Sequence, residues 1–254
     1  MLNDGLLTYK GRLYIPNCDE LKRFKMDEQH KRPYVGHPGY QKMITTTTRL
    51  FYWPGLKDII DYLTKCLECQ QVKAEHRHPA GLLQPLPIPK WKWETISMDF
   101  VTGLPKSAKQ NDAIMVAVDK LSKSAHFIPI KSTCKAIDIA NIFMKDIFIL
   151  HGMPREIVFD RNTRFTSRFW KSLMVGLETK LLFSITYDPQ TDGQTEIVKR
   201  ILEDLLRMHE MHRPKKWEDY LPLVEFSYNN GSQESLNMSP FESLYGRQCK
   251  TPIT

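Results

Sequence analysis

Three acidic residues, Asp99, Asp160 and Glu196, stand where they could work as a set. Asp99 lies in Ile96-Ser97-Met98-Asp99-Phe100, a stretch otherwise rich in apolar residues. A carboxylate in such a strand is costly unless something compensates it. Asp160 directly follows the short strand pattern Glu156-Ile157-Val158-Phe159, and Glu196 opens an amphipathic pattern. A strand interior, a strand end and a helix N-terminus can converge on one point. Carboxylates so arranged offer the hard oxygen ligands that two Mg²⁺ (or Mn²⁺) ions take, with positions left for water and a substrate phosphate. Two such ions roughly 3.5–4 Å apart activate an attacking oxygen and stabilise the leaving one in displacement at phosphorus. The chain holds 29 acidic residues, so spacing alone does not single out this triple. An acid at a helix start is also favoured by the macrodipole whatever its function.

A second constellation is softer. His30 and His37, with six residues between them, precede Cys66-Leu67-Glu68-Cys69, with 28 residues between His37 and Cys66. Two imidazoles and two thiolates make a tetrahedral set suited to Zn²⁺. His76 and His78 also lie near the cysteines and are rival ligands, although they stand at the start of a proline-rich stretch. A lone CxxC can also be a thioredoxin-like redox pair, but no βαβ pattern surrounds this one. A structural zinc adds on the order of 10 kcal/mol to a small module.

The elements that must position these residues fall on either side of a linker. The segment 78–93, HPAGLLQPLPIPKWKW, holds Pro79, Pro85, Pro87 and Pro89, which prevents helix and disfavours a central strand. Before it, GLLTYKGRLYIP (5–16) reads as a hairpin around Lys10-Gly11. Helices are expected over 40–50 and 56–66, separated by the turn signal Trp53-Pro54-Gly55. A core of that size is marginal without a metal staple. After the linker the pattern is α/β. Strands are expected over 93–101, 114–118, 125–130, 156–159 and 183–186. Helices are expected over 137–150, over 168–177 with Ser167 as N-cap, over 196–208, and from the capping box Ser239-Pro240-Phe241-Glu242. On the 196–208 helix, Glu196, Arg200, Glu203 and Arg207 share a face with Lys199 beside them. Such a face could hold a DNA backbone, or be a solvated surface with i,i+4 ion pairs.

Lys and Arg outnumber Asp and Glu by 36 to 29 in 254 residues, giving a net charge of +7 and a pI near 9.1. That balance fits a polyanionic partner without requiring one. The 41% hydrophobic and 26% charged fractions argue against wholesale disorder. No apolar run approaches the roughly 18 residues that span a bilayer, and the start lacks the pattern of a secretory signal. Five cysteines, only two of them closely spaced, argue for metal binding in a reducing compartment rather than a disulfide framework.

An ordered series of motifs adds to this reading: GHPGYQKM, FYWPGLKDI, CLECQQVK, WETISMDFVTGLP, VDKLSKSAHF, HGMPREIVFDRNTRFTSRFW, YDPQTDGQTE, VEFSYNN and MSPFESLYGR. With them the chain resembles the integrases of long-terminal-repeat retrotransposons, of the Ty3/gypsy type found in plant genomes. The 35 residues between Asp160 and Glu196 match the spacing of that family. The resemblance implies a small helical zinc module over 28–75, with His30, His37, Cys66 and Cys69 as ligands, after an N-terminal extension over 1–27. A linker over 76–92 would lead to an RNase H-like catalytic domain over 93–254, a central five-stranded mixed sheet flanked by helices.

Asp99, Asp160 and Glu196 match the catalytic triad, serving 3′-end trimming and then strand transfer with two Mg²⁺. DNA, as element ends and target, would be the partner, contacted by Lys199, Arg200 and Arg207. The resemblance further implies a homo-oligomer, action in the nucleus, and a longer polyprotein with more domains on both sides. The chain departs from the family pattern at Phe159, usually a small residue, at Asp188, usually His, at Ile197, usually Arg, and at Lys199, usually Asn. Glu178 stands where glycine is usual. These departures raise the alternative of a non-catalytic nucleic-acid-binding relic. A nuclease acting on RNA–DNA hybrids is a further alternative, opposed by the zinc module and the carboxylate spacing.

Overall fold

The computed structural model describes residues 7–53, 57–72, 88–159, 167–183, 189–210 and 214–250. Asp160, His76, His78 and Asp188 lie outside them.

The N-terminal part is a small helical unit. Strands β1 (Thr8–Tyr9) and β2 (Arg12–Tyr14) form the expected hairpin, turning at Lys10 and Gly11, both with positive φ. Parallel pairing of β2 with β3 (Phe51–Tyr52) ties the hairpin to the helices. These are α1 (Asp19–His30), α2 (Tyr40–Leu50), α3 (Lys57–Thr64) and α4 (Leu67–Val72). Helix α2 spans the predicted residues, whereas α1 went unpredicted because DELKRFKMDEQH is almost all charged or polar. The core of this unit is small: Ile15, Met26, Met43, Phe51, Trp53 and Ile59. Lys22 is buried in it and donates to Asn17 and Asp58.

The C-terminal part is a five-stranded mixed sheet, as expected, in the order β6-β5-β4-β7-β8. Strands β4 (Thr95–Thr102), β5 (Ala113–Asp119) and β6 (Ala125–Ile130) run antiparallel in sequence order. Strands β7 (Glu156–Phe159) and β8 (Lys180–Phe183) add in parallel on the other side of β4. Every residue of β5 is buried, because it lies between two strands with helices on both faces.

On one face lie α5 (Ala136–Phe143), which continues through a π-helical segment (Met144–Phe148) into α6 (Ile149–His151), and α7 (Arg168–Gly176). On the other lie α8 (Pro189–Glu210) and α9 (Trp217–Asn230), whose Val198, Leu202, Leu206, Leu221 and Val224 pack on Val101, Ile114, Val116 and Val118. Helix α10 (Pro240–Tyr245) begins as predicted, with the Ser239 hydroxyl accepting from the Glu242 amide and Pro240 in the first turn. Ser167 likewise caps α7 by accepting from Trp170 N–H.

Two expectations need correction. Strand β8 begins at Lys180, three residues before the predicted start at Phe183, because α7 ends early and Glu178 turns the chain with φ +56. Helix α8 begins at Pro189 rather than at Glu196. Its first residues are polar and include Gly193, so apolar periodicity is silent there, yet proline suits a first helical position. Glu196 therefore sits about two turns inside the helix, beyond the reach of its N-terminal dipole.

Candidate metal centre and active site

His30 closes α1, and His37 follows in the loop that returns to α2. Cys66 precedes α4 and Cys69 lies within it. One ligand atom from each of the four lies within 4.8 Å of the others. His37 Nδ1 is 3.5 Å from Cys66 Sγ and 3.8 Å from Cys69 Sγ, and His30 Nε2 is 3.4 Å from Cys69 Sγ. Bond lengths of about 2.0–2.3 Å in tetrahedral zinc place ligand atoms about 3.3–3.8 Å apart, so the set has the right scale. Among the described residues no other group of three or more His, Cys, Asp or Glu meets that criterion.

Neighbouring groups hold the ligands in place. The His37 amide donates to His30 O at 3.1 Å, and the residue adopts φ +47, a left-handed conformation that costs a non-glycine about 1 kcal/mol. Glu68 places Oε2 3.6 Å from His37 Nε2, the ring nitrogen facing away from the thiols. Tyr62 meets the His30 ring edge-on at 5.5 Å and donates to Asp27 at 2.6 Å. Burial opposes ionisation of Asp27, but hydrogen bonds from Lys31 and Tyr62 outweigh it and hold its carboxyl below the usual range. Gly36, with φ +67, brings this loop against the core. A Cβ there would meet Leu205 Cδ2 of α8 at 2.5 Å.

In the core, Asp99 occupies the middle of β4 with its side chain 14% exposed. Its Oδ1 accepts from the Phe100 amide at 2.6 Å, and its Oδ2 accepts from Lys199 Nζ at 2.8 Å. Strand β7 ends at Phe159, which pairs with Met98, the residue before Asp99. Helix α8 packs against β4, β5 and β7 and brings Lys199 to Asp99. Glu196, three residues earlier, is exposed and pairs with Arg200. Arg207 pairs with Glu203 at 3.9 Å. Both arginines thus sit in i,i+4 pairs on the outer face of the helix, and Lys199 alone of the three predicted cations reaches across to the sheet. Asp99 and Glu196 thus each meet a basic side chain, and both offer the hard oxygen donors that divalent cations take.

Two polar groupings, one buried and one half-buried, escaped sequence reasoning. Asp119 at the end of β5 accepts from the amides of Trp93 and Ser122 and from the Ser122 hydroxyl, and so secures the β5–β6 turn. His126 lies between Glu225, 3.0 Å from its Nδ1, and His151, whose Nε2 is 2.8 Å from its own Nε2. The His151 ring stacks on Trp93 at 3.7 Å. Burial, and secondarily the charge of His126, push His151 down to about 4. The motifs AHF and HGMP carried these histidines, but nothing in their spacing pairs them.

Residues 19–75 match the family model described as integrase zinc binding domain. Over 246 residues, 96% of the chain, it is 37% identical to the Tf2-3 and Tf2-4 transposon polyproteins of Schizosaccharomyces pombe. The chain spans about 18% of the length of those relatives. Among solved structures, a chain of the simian T-cell lymphotropic virus intasome in complex with PP2A regulatory subunit B56 gamma matches with a TM-score of 0.54. Its identity is 16%, over 87% of this chain and 77% of that one, a likeness of fold.

Proposed function

We propose that this chain, which belongs to the integrases of long-terminal-repeat retrotransposons of the Ty3/gypsy type, trims the 3′ ends of its element's DNA and joins them to target DNA. The observation that carries this reading is Asp99, a carboxylate set into the central strand of an RNase H-like sheet against which the helix that bears Glu196 packs. Asp160 follows β7, the strand paired with β4, and completes the set in this reading. Two Mg²⁺ ions held there would activate the attacking oxygen and stabilise the leaving one, and both reactions are phosphodiester displacements.

The chain's own residues supply position and charge. Asp99 is fixed by its strand and by the hydrogen bond from Phe100, so its other oxygen, the one that Lys199 meets, is aimed in advance. Lys199, Arg200 and Arg207 supply cations for the DNA backbone. His30, His37, Cys66 and Cys69 hold one structural zinc that staples the N-terminal unit, with a linker over 76–92 joining it to the catalytic domain. The enzyme acts as a homo-oligomer in the nucleus. No helix among the described residues is long and apolar enough to cross a membrane.

A strand-transfer assay with Mg²⁺ or Mn²⁺ on a duplex carrying the element's end tests the reading. Wild type is expected to give joined products, and Asp160→Asn to reduce them by at least about a hundredfold. One observation favours a non-catalytic relic, namely that Lys199 stands where the family carries a neutral Asn and is seated on Asp99. Equal background from wild type and Asp160→Asn would establish that reading instead.

A further inference from the structure

Lys199 differs from its neighbours in where it points. Arg200 and Arg207 find acids on their own helix, but Lys199 reaches from α8 to a strand residue 100 positions earlier in the chain. Asp99 has one oxygen committed to the Phe100 amide, so the amine occupies the other. The pair is part-shielded, with 31% of the Lys199 side chain and 14% of the Asp99 side chain exposed. An ammonium and a divalent cation cannot share that oxygen at contact distance without strong repulsion. Lysine is a compact charge on a flexible stem, so the amine can leave without moving the helix, and phosphate is a natural second partner for it.

We propose that Lys199 is a displaceable counter-ion that holds Asp99 in the metal-free site and passes to a DNA phosphate when a divalent cation takes its place. Metal and DNA then favour each other's binding, because each lowers the cost of moving the amine. The proposal rests on the two-metal reading of Asp99.

The test uses the full, zinc-loaded chain and Mn²⁺ as the probe, with free Mn²⁺ read by electron paramagnetic resonance. Lys199→Gln is expected to bind Mn²⁺ about tenfold more tightly than wild type without DNA, a modest gain because the pair is partly exposed. Lys199→Arg, which keeps the charge, should stay near wild type, and Asp99→Asn should lose the site. Fluorescence anisotropy of a labelled duplex supplies a second readout. Mn²⁺ should tighten DNA binding by wild type, and that gain should be clearly smaller in Lys199→Gln.

If Lys199→Gln and wild type bind Mn²⁺ equally while Asp99→Asn loses it, the competition is refuted and the two-metal reading stands. If Mn²⁺ tightens DNA binding equally in both, the hand-over is refuted. If Mn²⁺ binding does not depend on Asp99, the two-metal reading falls and this proposal falls with it.

Discussion

The zinc-type cluster and the carboxylate site handle charge in opposite ways. Four side chains that can be neutral stand together in the N-terminal unit, their ligand atoms within 4.8 Å. In the core, Asp99 and Glu196 are each paired with a basic side chain. Imidazoles and thiols can be gathered by packing alone, with deprotonation of the thiols left to the metal. Carboxylates brought together repel, so they need counter-ions until metal arrives. On the proposed reading the first site serves the stability of a unit with a small core, and the second is a site of exchange. The large core of the second unit stands on burial instead.

The largest effect expected from this contrast is zinc removal. A chelator should unfold the N-terminal unit, whose core is six residues, and leave the unfolding transition of the sheet domain in place. Far-UV circular dichroism and thermal melting read both at once. An unchanged spectrum would remove the zinc assignment.

A smaller effect separates the core by acid. His151 is held down to about 4 from 6.5, so between those values the unfolded chain takes a proton that the native one refuses. Stability is therefore unaffected above about 6.5 and falls as pH drops toward 4. Allowing for its partial exposure, the loss is on the order of 1 kcal/mol. Urea unfolding of the chelator-treated chain at both pH values should show it, and His151→Gln should flatten it. An unaltered slope in the variant would assign the acid loss to other groups.

The smallest effect concerns backbone. Glu178 has φ +56 at the turn into β8, a conformation that glycine adopts freely. Glu178→Gly should raise the melting temperature of the sheet domain, a gain of up to about 1 kcal/mol, with the chelator response untouched. A lower melting temperature would show that the Glu178 side chain contributes more than the strain costs.

Much of this frame could be read from residue order. Helix α2 and strands β6 and β7 appear at the predicted residues, because each has apolar periodicity bounded by Pro, Gly or charge. The ligand cluster was legible from residue types that bind one metal. Helix α1 was hidden by its charged composition, and the first two turns of α8 by the absence of apolar residues. Neither the His126–His151 contact nor the Lys199–Asp99 pair leaves a spacing signal, because sheet and helix packing join residues far apart in sequence.

Whether Asp99 and Glu196 serve metal is decided by anomalous diffraction from crystals soaked in Mn²⁺. Manganese is expected bonded to an Asp99 oxygen on the side of Glu196, with Lys199 swung away. Crystals that take up manganese elsewhere while Lys199 stays on Asp99 would contradict the metal reading.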